Sequence, residues 1–287
     1  KFSFISILMR LGVSRGYLIF LWTKVTRPQK FISGSILPRL PLHGVIPQDT
    51  RVVGGVAAPE GRIPYQASLR TLLNSHFCGG SIVNNRWVLT AAHCTVGQSK
   101  NKIIVVVGTT HLLLGGDRYS VNSIIIHEDY DSDLIKNDVS LIRTAADIVF
   151  SDVVQPISLP VEDTGAGEDV MLSGWGRTSV SNLARIFSRE LDILNVVALF
   201  LCLYVPGCQE MFMAIGPVFN TQICSLTKTG EGACHGDSGG PLVEGSSVVG
   251  VVSWGMPCAR GYPDVYTRVY AYKDWIMSKM ANDTLVS

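Results

Sequence analysis

One serine, Ser238, stands in the stretch GACHGDSGGP (232–241), between an acid and two glycines. A serine hydroxyl is a poor nucleophile at neutral pH. It needs a base for its proton, donors for the developing oxyanion and a surface that selects the substrate. The stretch satisfies G-x-S-x-G, the nucleophile elbow of α/β-hydrolases, which alone is weak evidence. The histidines discriminate. All six (His43, His76, His93, His111, His127 and His235) precede Ser238. The α/β-hydrolase order puts the histidine after the serine, so a triad here belongs to another fold.

His93 lies in LTAAHC, where small alanines let an imidazole sit close to neighbouring backbone. An imidazole is the natural acceptor for a hydroxyl proton near neutral pH. A lone histidine is more often structural than catalytic, so the reading depends on its company. Asp138 lies in KNDVSLIR, where a carboxylate enters an otherwise apolar strand. A turn-capping aspartate would also fit that position. A buried acid there would fix the imidazole tautomer and stabilise the imidazolium.

The elements that must position these residues are short strands. YQASL (65–69), WVLT (87–90), IIVVVG (103–108), YSVNSIII (119–126), DVSLI (138–142), DVMLSGW (169–175), SVVGVVSWG (247–255) and DVYTRV (264–269) are β-branched or alternating runs separated by turn residues. Such a series predicts an all-β barrel or sandwich. Only YAYKDWIMSKM (270–280) has helical spacing, through Tyr272, Trp275, Ile276 and Met280, and it predicts a closing helix. With 47% hydrophobic residues, the 287-residue chain can bury a sizeable core. With 16% charged residues and a net charge of +1, it carries no signal for nucleic acid.

Seven cysteines without a CxxC pair disfavour a zinc knuckle or a redox dithiol, and fit an oxidised, secreted chain with three disulfides and one leftover thiol. Near the start, FSFISILM (2–9) and YLIFLW (17–22) are interrupted by Arg10 and Arg15. Both fall short of the ~20 residues of a membrane span, so no stable membrane insertion is expected. They read as a degenerate signal peptide, an unrelated leader or a gene-model artefact. Residues 23–50, rich in Pro and Ser, have no core pattern of their own. The texture changes from Arg51 onward, so the expected division is a leader over 1–51 and a domain of short strands over 52–287.

LTAAHC, NDVSLI and GDSGGP occur in the order His, Asp, Ser, with VVGG, SGWG, VVSWG and PDVYTRV around them. In these motifs the chain from residue 52 onward resembles the trypsin/chymotrypsin-like serine endopeptidases. The resemblance implies two packed six-stranded antiparallel β-barrels with a C-terminal α-helix and the site between the barrels. It implies Ser238 as nucleophile, His93 as general base and then acid, Asp138 as its orienting carboxylate, and the N–H groups of Gly236 and Ser238 as oxyanion hole. It also implies cleavage after Arg51, with the new ammonium of Val52 pairing with Asp237. No cofactor and no metal are implied. GTTHLLLGGDRYS (108–120) has one acid where calcium-binding relatives have several. Peptide or protein substrates, an activating protease and protein inhibitors are the implied partners of a monomer.

By the same resemblance Cys78 pairs with Cys94 and Cys234 with Cys258. Cys224 pairs with Cys208 in preference to Cys202, and both choices stay open. The segment 183–208 is far more apolar than such relatives have there and reads as a local insertion or a mis-spliced segment. In the specificity pocket, Gly232 stands at the base, where trypsin-like members carry Asp. Ser253, Trp254 and Gly255 form the walls, and His235 is read as a substrate-side contact at the rim. Asp264 stands where most relatives have Gly. Crustacean collagenolytic proteases and some insect digestive enzymes resemble this Gly-plus-Asp arrangement, which implies cleavage after Phe, Tyr or Leu with some cleavage after Arg or Lys. An aspartate turned to solvent is the alternative reading of Asp264. Asn282 in NDT is a weak glycosylation sequon. A secreted, digestive endopeptidase is the leading reading; a catalytically silent binding homologue and a regulatory cascade protease are the alternatives.

Overall fold

The computed structural model describes residues 53–177, the backbone of 192–197, and residues 209–281 apart from 211, 213–215, 227 and 257. Its first half is a closed barrel of six antiparallel strands, in the order β2-β3-β4-β7-β6-β5. These are β2 (Gln66–Thr71), β3 (His76–Ile82), β4 (Trp87–Thr90), β5 (Ile103–Val107), β6 (Asp117–Ile126) and β7 (Ser140–Thr144). Ala67, Leu69, Val88, Leu89, Val105, Leu141 and Ile142 on these strands are buried in one aliphatic cluster. β-Branched and large aliphatic side chains fill a small barrel and leave no room for water.

The second half is a seven-stranded sheet in the order β1-β9-β8-β11-β12-β13-β10. Its strands are β1 (Val56–Ala57), β8 (Asp169–Gly174), β9 (Asp192–Val197), β10 (Gln222–Ser225), β11 (Pro241–Glu244), β12 (Ser247–Gly255) and β13 (Asp264–Arg268). The expected all-β, two-part architecture with a terminal helix holds. The second part has one strand more than the six implied, because β1 pairs with β9 through Val56↔Ile193 and Ala57↔Asp192. That pairing covers a sheet edge that would otherwise expose unpaired N–H and C=O groups.

The expected C-terminal helix begins as a 3-10 turn (Val269–Tyr272) and continues as α2 (Lys273–Ala281). Ile276 is fully buried, Tyr272 nearly so, and Trp275 and Met280 pack against the first-barrel core. The same cluster includes Val243, Val248 and Val251 of the second sheet, so the core runs through both halves. The halves meet backbone to backbone at Gly79 of β3. A Cβ on Gly79 would lie 2.9 Å from the Gly240 Cα, and the Gly79 N–H donates to the Ser238 carbonyl at 2.8 Å. A side chain at Gly79 would push the nucleophile loop off the first barrel. Among the described residues no helix is long and apolar enough to cross a membrane.

Candidate active site

β4 ends at Thr90 and the chain turns at once into α1 (Ala92–Thr95), a single helical turn that carries His93. Cys94 in that turn is disulfide-bonded to Cys78 on β3, as the resemblance implied. The neighbouring sulfurs and His93 could be mistaken for a metal cluster. Both sulfurs are spent in the disulfide and offer no thiolate.

Asp138 precedes β7 and is 1% exposed. Its Oδ1 accepts the main-chain N–H of His93 at 2.8 Å, and its Oδ2 lies 2.8 Å from His93 Nδ1. A carboxylate only accepts, so Nδ1 carries the proton and the Nε2 lone pair is turned away from Asp138. The Ser253 hydroxyl also donates to Asp138 Oδ2, at 2.6 Å, and Thr267 donates to the Asp138 carbonyl at 2.6 Å. Ser253, expected at a pocket wall, thus has its hydroxyl engaged with the acid. That link was not legible in the sequence, because β12 and Asp138 lie far apart along the chain.

Ser238 is half-buried in a loop pinned by its main chain. Besides the Gly79 bond, the Gly239 N–H donates to Val252 O at 2.8 Å and the Gly240 N–H to Asp237 O at 2.9 Å. A Cβ on Gly239 would lie 3.1 Å from the Cys94 sulfur. The neighbour of Ser238 therefore abuts the neighbour of His93. Among the described residues no hydrogen bond joins Ser238 Oγ to His93 Nε2, and Cys94 Sγ lies 3.6 Å from Nε2. Nucleophile–base contacts are commonly long in unliganded sites and tighten when substrate excludes water.

Gly236, buried, has φ +104°, a conformation open to glycine but not to ordinary side chains. The carbonyl of the preceding peptide, His235 O, accepts the Arg177 N–H at 2.9 Å. The carbonyl of Gly236 lies 2.9 Å from His76 Nε2. Because a trans peptide points its N–H opposite its carbonyl, the first of these bonds fixes where the Gly236 N–H points. His235 itself is exposed.

Asp237 is fully buried. Its oxygens accept N–H groups from Gly176 (2.7 Å) and Cys234 (2.9 Å). Burial pushes its pKa up to about 6 against those two hydrogen bonds. Among the described residues it has no cationic partner. Arg51 and Val52 lie outside the described residues. Val53, next along, already sits against the loop, its carbonyl accepting the Gly232 N–H at 3.1 Å.

Asp264, which opens β13, is 7% exposed and not turned to solvent. Its Oδ2 accepts the Ala233 N–H at 2.6 Å. A Cβ on Gly232 would lie 2.6 Å from Asp264 Oδ2, and one on Gly255 3.2 Å from Oδ1. The carboxylate therefore occupies the space that a side chain at Gly232 would take. Burial pushes its pKa up to about 7; the Ala233 N–H opposes this and the nearby Asp237 adds to it. Cys234 and Cys258 are bonded beside this site, again as implied. Trp254 borders it, its ring 4.9 Å from that of Phe212. Cys224 is disulfide-bonded. Its partner, Cys202 or Cys208, lies outside the described residues, as do most of segment 183–208 and Asn282.

A closed barrel, a second sheet and an imidazole–carboxylate pair beside a glycine-bound serine together define a serine hydrolase built between two β halves. The trypsin family model matches residues 52–276, and the chain belongs to the trypsin family. It is 45% identical over 231 residues to chymotrypsin-2 of Vespa crabro, covering 78% of this chain and 98% of that protein. Trypsin II-P29 of Gallus gallus is 39% identical over 243 residues, 81% of this chain and 90% of its own. Trypsin 5G1 of Aedes aegypti is 35% identical over 253 residues, 85% and 90% respectively. The protein is a serine endopeptidase of the chymotrypsin/trypsin type.

Proposed function

We propose that this protein is a secreted, digestive zymogen, cut after Arg51, whose active form cleaves chiefly after Phe, Tyr or Leu and secondarily after Arg or Lys. The observation that carries the specificity is the buried Asp264 carboxylate filling the space above Gly232. The pocket base then has no acid of its own, and a carboxylate enters from the side wall. Secretion is supported by the disulfides, which persist in oxidising compartments. A digestive role is supported only by likeness to relatives named chymotrypsin and trypsin.

In the reaction, Ser238 Oγ attacks the scissile carbonyl carbon as its proton passes to His93 Nε2. Asp138 stabilises the imidazolium through Nδ1–H. The carbonyl oxygen becomes an oxyanion held by the N–H groups of Gly236 and Ser238. His93 then gives its proton to the leaving amine, the C–N bond breaks and an acyl-enzyme remains. Water repeats the sequence, His93 taking its proton and returning one to Ser238 Oγ, so that acid product and free enzyme are released.

Activation follows from Asp237. A carboxylate fully buried without a cation is costly, and the ammonium freed at Val52 would remove that cost. Arg51→Gln should therefore leave the protein unreactive to a serine-directed phosphonate under conditions in which the wild type becomes labelled after limited tryptic cutting. Equal labelling of cut and uncut wild type would overturn the zymogen reading.

Asp264→Gly should lower kcat/KM for Arg and Lys substrates by about 10- to 100-fold, the worth of a charge-assisted hydrogen bond in a dry pocket, and leave Phe substrates nearly unchanged. The wild type should also show a pH-dependent preference. With burial pushing the Asp264 pKa up to about 7, its negative charge is lost as pH falls through that region. The ratio of kcat/KM for Arg over Phe should therefore rise with pH through that region. Taking the ratio cancels groups that act alike on both substrates, whereas Asp237, whose charge bears on Asp264, sets where in that region the rise falls. A flat ratio, together with retained Arg cleavage in Asp264→Gly, would remove Asp264 from the pocket.

A further inference from the structure

Arg70 of β2 is 1% exposed, yet its acceptors among the described residues are all neutral oxygens. Its Nε–H donates to Ser68 Oγ at 2.9 Å; its terminal nitrogens donate to Asn74 Oδ1 (3.1 Å), Leu112 O (2.7 Å) and His111 O (3.4 Å). A second cation, Arg118, shares the same Asn74 oxygen at 2.8 Å. Burial and that neighbour push the Arg70 pKa down to about 10. Holding a guanidinium here is expensive.

The hydrogen bonds continue inward. Ser68 Oγ lies 2.8 Å from His76 Nδ1, and His76 Nε2 lies 2.9 Å from the Gly236 carbonyl. Burial keeps the His76 ring neutral down to about pH 4. A carbonyl can only accept, so Nε2 carries the ring's single proton and Nδ1 must accept the Ser68 hydroxyl proton. Ser68 Oγ in turn accepts from Arg70. Every bond runs one way, from the buried cation to the peptide of Gly236, and bonds aligned in this way strengthen one another.

We infer that Arg70 is a positioning residue for the oxyanion hole: through Ser68 and His76 it holds the Gly236 carbonyl and so pins the C-terminal side of Gly236, while the Arg177–His235 bond on the other side sets the direction of the Gly236 N–H. This rests on the assignment of that N–H to the hole. Without the guanidinium, the Ser68 hydroxyl is free to rotate and the ring to take its other tautomer, which would aim a lone pair at the Gly236 carbonyl.

The test uses Arg70→Met, Ser68→Ala and the double variant in the full chain, activated by limited cutting and normalised by active-site titration. Each is assayed on a peptide amide, and on an ester and its thionoester, whose sulfur is a poor hydrogen-bond acceptor. Each single variant should lower kcat per titrated site by about five- to tenfold, with KM nearly unchanged. The oxygen-to-sulfur preference should fall by a similar factor, and the double variant should be no worse than Ser68→Ala alone. Loss of packing would instead reduce the titratable fraction and leave that preference intact. An unchanged oxygen-to-sulfur preference in Ser68→Ala, the smaller change and the one least able to prevent folding, overturns the inference, as do single effects that multiply. A wild type that does not prefer oxygen overturns the hole assignment instead.

Discussion

Ser238→Ala is expected to lower kcat on a peptide amide by about a million-fold, leaving only the turnover that binding and the oxyanion donors provide. The variant removes one oxygen and little else. The loop's anchoring bonds, from Gly79 to Ser238 O and from Gly239 to Val252 O, use main-chain atoms, so folding should be unaffected. Thermal unfolding of the variant should therefore overlay that of the wild type, while phosphonate labelling disappears. His93→Ala should cost nearly as much, because a hydroxyl with no base is as idle as a base with no hydroxyl. The double variant should be no slower than either single one. Single-turnover assays on the activated proteins read this directly. Residual activity above about a thousandth of wild type in Ser238→Ala, or losses that multiply in the double variant, would mean that another nucleophile does the work.

The candidate residues of that experiment were legible in the sequence because hydroxyl activation tolerates few residue types, and their chain order excluded the α/β-hydrolase fold. Strands such as IIVVVG and SVVGVVSWG were legible from β-branched alternation, and the closing helix from Tyr272 and Ile276 at helical spacing. β3 was not. HFCGGSI is broken by Gly79 and Gly80, and the absence of side chains that hides the strand is what lets the two halves touch. β1 is two residues long and leaves no period to read. The supporting bonds were hidden for another reason. Gly176, Arg177 and Cys234 act through main-chain N–H groups, which carry no side-chain signature. Ser253 and His76 are ordinary residues until folding brings them to Asp138 and Gly236. The side-chain chemistry of the site could be read along the chain; the geometry that aims it could not.

Asp138→Asn is expected to lower kcat by about ten-thousand-fold with little change in KM. Asp138 accepts three donors: the main-chain N–H and Nδ1–H of His93, and the Ser253 hydroxyl. An asparagine has one oxygen and one NH2 group to set against them. The hydroxyl can rotate and the ring can change tautomer, but the main-chain N–H can do neither, so it takes the oxygen. The NH2 group then faces Nδ1, which must accept, and the single imidazole proton moves to Nε2. The nitrogen proposed to take the proton of Ser238 has become a donor and can no longer accept it. The fold keeps its contacts and the pocket its shape, so substrate should bind as before. Imidazole nitrogen shifts by NMR should show the proton on Nε2 in the variant and on Nδ1 in the wild type. A loss below about a hundredfold with an unchanged tautomer would mean that Asp138 does not set the direction in which His93 moves its proton.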